Sequence, residues 1–223
     1  MGKRGVKPKG TVFLKWSPAL AYAVGLLATD GSLSKDRLHI DFTSKDRGQV
    51  VTFQKCLGVS HIKIGRKGSG TAEGKKYFRI QFGDVLFYQW LLGIGLTPNK
   101  SKTLGPLKVP DQYFFDFLRG CFDGDGTIYS FWDKRWHSSY MFYIGFTSAS
   151  KPFLEWLQSN TARLCGTEGK ITQHVRSHQL RYAKMGSRVL FKKMFYADDI
   201  PYLKRKFTKA QKIFTIDRQH SQC

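Results

Sequence analysis

Two short stretches place carboxylates where a helix would end. They are LLATDGSLS at Leu26–Ser34 and CFDGDGTIYS at Cys121–Ser130. Each reads as an apolar helix running into an Asp-Gly pair, with Asp30 and Asp125 as the acids. A helix C-terminus carries partial negative charge, so a carboxylate there is misplaced unless a cation joins it. Two such carboxylates side by side would make a strongly negative point that divalent cations relieve. Mg2+ suits that point, since it takes carboxylate oxygens, water and phosphate.

The elements that must carry these acids occur twice. The first helix opens at Ser17-Pro18, an N-cap followed by proline at the first helical position. The second opens at Pro110-Asp111, and Asp125 follows Asp30 by 95 residues. Behind each comes a strand of alternating apolar residues, Leu38, Ile40 and Phe42 in one and Phe142, Ile144 and Phe146 in the other. Both strands run into Phe-Thr-Ser, and a helix, a strand pair, a short helix and a Lys-rich tail follow each. The chain therefore reads as two αββαββα halves of an α+β (mixed) protein, residues 1–95 and 111–223, joined by a linker at 96–110. Ala21, Gly25 and Thr29 recur every fourth position of the first helix, and Gly120 and Gly124 do so in the second. Spacing of four puts small residues on one face, where two backbones can approach. Ala21, Gly25, Gly120 and Gly124 are thus expected to form the helix–helix interface at the centre. A pseudo-twofold axis between the halves would let one chain treat both strands of a duplex alike.

Charge points to the partner. Lys and Arg number 37 against 16 Asp and Glu, giving +21. Nucleic acid is the partner that such a surface fits, because neutralising phosphates releases counterions. Hydrophobic content of 41% allows a packed core. The four cysteines, Cys56, Cys121, Cys165 and Cys223, form no CxxC pair, which fits a reducing intracellular compartment such as a prokaryotic cytoplasm or an organelle matrix. The basic N-terminus has no apolar core of a signal peptide, and the apolar run Ala19–Ala28 is too short to span a bilayer, so no membrane is expected.

Ala23–Gly31 (AVGLLATDG) and Leu118–Gly126 (LRGCFDGDG) resemble the two motif copies of the LAGLIDADG homing endonuclease family, and the order of flanking elements is similar over nearly the whole chain. The resemblance implies a monomeric, single-chain enzyme whose two four-stranded antiparallel sheets form a saddle over a long asymmetric double-stranded DNA target. It implies Mg2+-dependent cleavage of both strands, with two or more divalent ions shared between Asp30 and Asp125 and backbone ligands from Thr29 and Gly124. It also implies a basic catalytic group after the last helix of each half. Aligning the tails gives Lys100 and Lys206, with Lys102 and Lys204 as competitors. The sixth motif position is Asp123 in one copy and Ala28 in the other, so Asp123 is expected to be structural or a cap.

Outward strand positions should then read bases in the major groove. In the first half these are Ser32, Ser34, His39, Asp41, Thr43, Lys63, Tyr77, Arg79 and Gln81, with Arg79 suited to guanine and Gln81 to adenine. In the second they are Thr127, Tyr129, Tyr143, Thr147, Lys170, Thr172, His174, Arg176 and Lys184. The last strand lacks clean alternation, which leaves Arg181 against Tyr182 open. Lys35, Arg37, Arg66, Lys67, Lys134 and Arg135 are hairpin residues suited to phosphates. Ser44 and Ser148 are either helix N-caps or neighbours of the active centre. His174 and His178 lack the companions a zinc site needs. GTIY and YIG at Gly126–Tyr129 and Tyr143–Gly145 imitate a GIY-YIG nuclease but follow a duplicated helix. Alternative functions on the same fold are an RNA maturase for a host intron and a DNA-binding protein that does not cut.

Overall fold

The computed structural model describes residues 10–35, 39–68, 76–136 and 139–220; Arg37, Leu38 and Cys223 lie outside them. The first half runs α1 (Pro18–Thr29), β1 (Gly31–Leu33), β2 (Ile40–Ser44), α2 (Arg47–Leu57), β3 (Gly65–Gly68), β4 (Lys76–Phe82) and α3 (Val85–Gly93). The second runs α4 (Phe114–Asp123), β5 (Gly126–Trp132), β6 (Tyr140–Ser148), α5 (Lys151–Cys165), β7 (Lys170–Gln173), β8 (His178–Tyr182) and α6 (Lys184–Met194), then α7 (Lys204–His220). A single 3-10 turn, Asp111–Tyr113, leads into α4.

Each half builds one four-stranded antiparallel sheet, ordered β1-β2-β4-β3 and β5-β6-β8-β7. The registers correspond, Gly31 facing Phe42 in one sheet and Gly126 facing Phe146 in the other. Alternation puts Ile40, Phe42, Ile80 and Phe82 on the inner face of the first sheet. It puts Ile128, Phe142, Ile144, Phe146, Leu180 and Tyr182 on that of the second. The helices cover these faces; Phe42 stacks on Phe53 of α2, and Phe146 meets Phe122 of α4 edge-on. The opposite faces are solvent-accessible. Gly58 and Gly166 end α2 and α5 in the left-handed conformation (φ 69° and 63°), where a side chain would be strained.

At the centre α1 packs on α4. Ser17 caps α1 as the sequence implies, its Oγ accepting from Leu20 N at 3.1 Å. A Cβ added to Gly25 would lie 2.2 Å from the Phe117 carbonyl, and one on Gly120 would lie 2.2 Å from the Tyr22 carbonyl. The glycines are thus reciprocal, each making room for the other helix's backbone. Ala21 is buried beside them, and Gly124 abuts Thr29 at the end of the seam.

The structure departs from the sequence expectations in several places. The second Lys-rich tail is largely the seventeen-residue helix α7, whereas residues 98–103 of the first are turns. Lys63 precedes β3 instead of lying in a strand, and His174 and Arg176 sit in the turn between β7 and β8, closed by His174 N donating to Ser177 O. Tyr182 is a core residue whose hydroxyl pairs with Thr161 Oγ1 at 2.7 Å. Lys184 begins α6 and pairs with Asp217 at 2.6 Å, on the helix side of the sheet. Arg66 and Lys67 belong to β3 itself; Arg66 opposes inner-face Phe78, and Lys67 opposes Tyr77. Among the described residues no helix is long and apolar enough to cross a membrane.

Candidate functional site

The site forms where α1 and α4 end together. Asp30 is the C-cap of α1, its N–H donating to Leu26 O at 2.9 Å. Asp125 stands between the C-cap Gly124 and the first residue of β5. A Cβ on Gly124 would lie 3.3 Å from Asp30 Oδ2, so the first half's carboxylate reaches the end of the second half's helix. Both acids are exposed to solvent, although neighbouring protein desolvates their carboxyl groups. Burial pushes the Asp30 carboxyl up to about 6, and the neighbouring Asp125 charge adds to the rise. Burial also raises Asp125, against the pull of Lys206 and Lys100. These are hard oxygen donors whose negative charge the protein leaves incompletely compensated, which fits a divalent cation. Among the described residues no group of three or more His, Cys, Asp or Glu is placed to hold a metal ion.

Two buried lysines flank the acids at equivalent places. Lys206 Nζ donates to the carbonyls of Phe122, Gly124 and Gly126 at 2.6, 2.7 and 2.6 Å. Lys100 Nζ donates to Gly31 O at 2.5 Å and lies 3.5 Å from Thr29 O. Gly31 and Gly126 correspond, as do Thr29 and Gly124. Each ammonium therefore satisfies carbonyls that a helix end leaves open, and neutralises its dipole. Desolvation lowers both lysines, Lys206 to about 8. Lys102 and Lys204, the neighbours in each tail, face solvent. The Thr29 and Gly124 carbonyls, expected as backbone metal ligands, accept from these ammoniums in the structure.

Asp123 is buried behind the site. Its Oδ2 accepts from Tyr22 OH at 2.8 Å and from Leu203 N at 2.7 Å, and its Oδ1 has no partner. Burial pushes its carboxyl up to about 6. It caps the segment leading into α7, which carries Lys206, and ties that segment to α1 of the other half. Gln49 of α2 donates to the Asp123 carbonyl at 3.0 Å, and Ser44 Oγ donates to Gln49 Oε1 at 2.6 Å. Asp46 pairs with Arg205 at 2.6 Å across the same seam. Ser44 and Ser148 hold helix starts: their Oγ atoms accept from Asp46 N and Ser150 N, both at 3.1 Å. The sequence hid the Gln49 and Leu203 contacts, because they join segments far apart in the chain.

The outer sheet faces continue from this centre. On the first, Ser32, Asp41 and Gln81 form one cross-strand row, and Thr43 faces Arg79 in the next. Tyr77 faces Lys67. Arg79 is already ion-paired with Asp41, so neither group is free for a base without exchange of partners. Ser34 and His39 close the β1–β2 hairpin through Ser34 N to His39 O at 3.0 Å, and exposed Lys35 follows Ser34. On the second face, Thr127, Tyr129, Tyr143, Thr147, Lys170, Thr172 and Arg181 point outward by register. Register adds Phe131, Met141, Gly145 and Gln179, which broken alternation in the sequence had concealed. Lys134 and Arg135 are exposed beyond β5, with Arg135 held by Asp133 at 3.1 Å.

Solved structures share this fold. Residues 114–192 match the model of the LAGLIDADG-like domain family. The homing endonuclease I-WcaI, bound to its DNA recognition sequence, superposes with TM-score 0.63 at 12% identity, covering 92% of this chain and 94% of that one. I-DmoI in complex with DNA and Ca gives 0.54 at 13% identity, covering 87% and 97%. Full-length DUF199/WhiA from Thermatoga maritima gives 0.57 at 14% identity, with 91% of this chain covering 62% of that one. No curated protein matches the sequence. At these identities the structural likeness establishes the fold: two LAGLIDADG-type halves with the motif helices packed at the centre.

Proposed function

We propose that this chain, which has the LAGLIDADG fold and carries a LAGLIDADG-like domain in its second half, is a site-specific double-strand DNA endonuclease that uses Mg2+. The observation that carries the reading is the pair Asp30 and Asp125, brought together at two helix ends with their carboxyl groups raised by burial and a buried lysine beside each. Asp30 and Asp125 would hold the ions, which when bound help form hydroxide and stabilise the leaving oxygen. Lys206 and Lys100 keep the two helix ends in register and set positive charge beside the scissile phosphates, where charge grows in the transition state. The outer sheet faces lie along the duplex and supply base contacts, while the +21 charge supplies affinity for phosphate. One chain holds both half-sites, so a monomer suffices, and the target is asymmetric because the two faces differ. An intron as coding context and a reducing intracellular compartment complete the proposal.

A non-cutting DNA-binding protein is the second reading, favoured by the likeness to DUF199/WhiA, since the fold alone does not choose between them. The Asp at both motif ends supports cutting. The test is incubation of the purified chain with a library of long random duplexes and Mg2+, followed by sequencing of cut ends. A single recurrent cut site is expected. Binding without any cut would establish the second reading, and tight binding of intron RNA without duplex cleavage would establish a maturase.

A further inference from the structure

The two outer faces differ in chemistry, and the difference is concentrated on the β5–β6 hairpin. The first face is mainly polar, with Arg79 and Thr43 each bonded to Asp41. On the second, Tyr129 and Phe131 step outward along β5 opposite Tyr143 and Met141 of β6. Tyr129 stacks on Tyr143 (5.5 Å between centroids, 21° between planes), and Phe131 stacks on Tyr143 (6.1 Å, 12°). Arg181 closes the inner end, its guanidinium 5.1 Å from the Tyr143 centroid and its Nη1 donating to Tyr129 OH at 3.2 Å. The outer end stays open, with Phe131 44% exposed. Trp132 does not share this face; it packs on Tyr140 and His220 on the helix side.

This is an apolar strip on the face that runs out from Asp125. The occupant it fits must be anionic overall, to match the +21 charge with Arg181 and Lys170 on the same face, and must offer an apolar group at one point. In the major groove only thymine presents one, its C5-methyl. Resting on the DNA reading above, we infer that Phe131 and Met141 form a specificity contact for a thymine methyl in the half-site under the second sheet. From Thr127 to Phe131 the strand advances about 14 Å. At about 3.4 Å per base pair this puts the thymine roughly four pairs outward from the pair facing Thr127.

The test selects duplexes that the 223-residue chain binds from a random library and locates the base pairs under each sheet by footprinting. A thymine is expected at the outer position of the second half-site. Replacing that thymine by deoxyuridine removes only the methyl, and should weaken binding about fourfold, the worth of one buried methyl. The Phe131→Ser variant should bind the two duplexes equally, and Met141→Ala should narrow the difference. Equal affinity of the unaltered protein for thymine and deoxyuridine duplexes overturns the inference. Full discrimination retained by Phe131→Ser also overturns it, as does tighter binding of the separated single strand, which would assign the rings to stacking on unpaired bases. Failure to select any duplex overturns the DNA reading itself and is thereby distinguishable.

Discussion

Substituting alanine for Gly25 tests the contact on which the whole centre depends. The added Cβ would lie 2.2 Å from Phe117 O and 2.9 Å from both Cys121 N and Gly120 Cα, where ordinary contact begins at 3.4 Å. All three obstacles are backbone, so no rotamer change relieves them. The helices must separate locally by about 1 Å, and a gap of that size forfeits a quarter to a half of the dispersion well along the seam. Overpacking usually costs about 1–3 kcal/mol, and backbone obstruction puts this case at the top, about 3 kcal/mol. For a chain of this length that lowers Tm by roughly 6–12 °C. Gly48→Ala is the matched control: it lies in α2 with nothing within 4 Å of its added Cβ, and should gain about 0.4–1 kcal/mol. Gly120→Ala should cost about as much as Gly25→Ala. The double variant should cost less than the sum, because one separation serves both methyls. Thermal and urea unfolding of the four variants supply the assay. A Gly25→Ala protein as stable as the unaltered chain would refute the close packing, and with it the reason the two carboxylates meet.

Three further outcomes follow from the charges at the site and behind it. Asp30→Asn should raise stability at pH 7: a rise to about 6 is worth about 3 kcal/mol for a buried group, discounted to roughly 1 kcal/mol for an accessible one. Because the folded-state value lies above the unfolded one, the ionised form is what costs, so the gain should disappear in melts near pH 4. Asp123→Asn keeps one oxygen able to accept from both Tyr22 and Leu203 while removing a buried charge, and should be near neutral at pH 7. Asp123→Ala strands both donors and should cost about 2 kcal/mol in urea unfolding. Cleavage at limiting Mg2+ should rise as pH increases through about 6, as Asp30 loses its proton, and more Mg2+ should move that rise to lower pH; a flat profile would count against the ligand role.

Much of this architecture is legible in the sequence because it is written twice. The α1 and α4 glycines, the Asp-Gly ends and the alternating strands reinforce one another across the repeat, and local period and spacing suffice to place them. The sheet faces were legible where alternation is clean, at Asp41, Thr43, Arg79 and Tyr129. They failed at QLRYAKMG, where β8 ends and α6 begins within the same residues, so Tyr182 turns inward and Lys184 joins Asp217. The lysines were visible as tail residues, but their hold on helix-end carbonyls depends on α7 and the 98–103 turns folding back, which no local pattern encodes. The same holds for Asp123, whose partners Tyr22 and Leu203 lie 101 and 80 residues away.

On the proposed function, two carboxylates, one from each repeat, serve the two strands. A selected duplex, labelled differently on each strand and incubated with Mg2+ and the unaltered protein, should be cut on both strands, and Asp30→Asn and Asp125→Asn should each abolish double-strand cutting while binding persists. Double-strand cutting that survives either substitution would contradict the account.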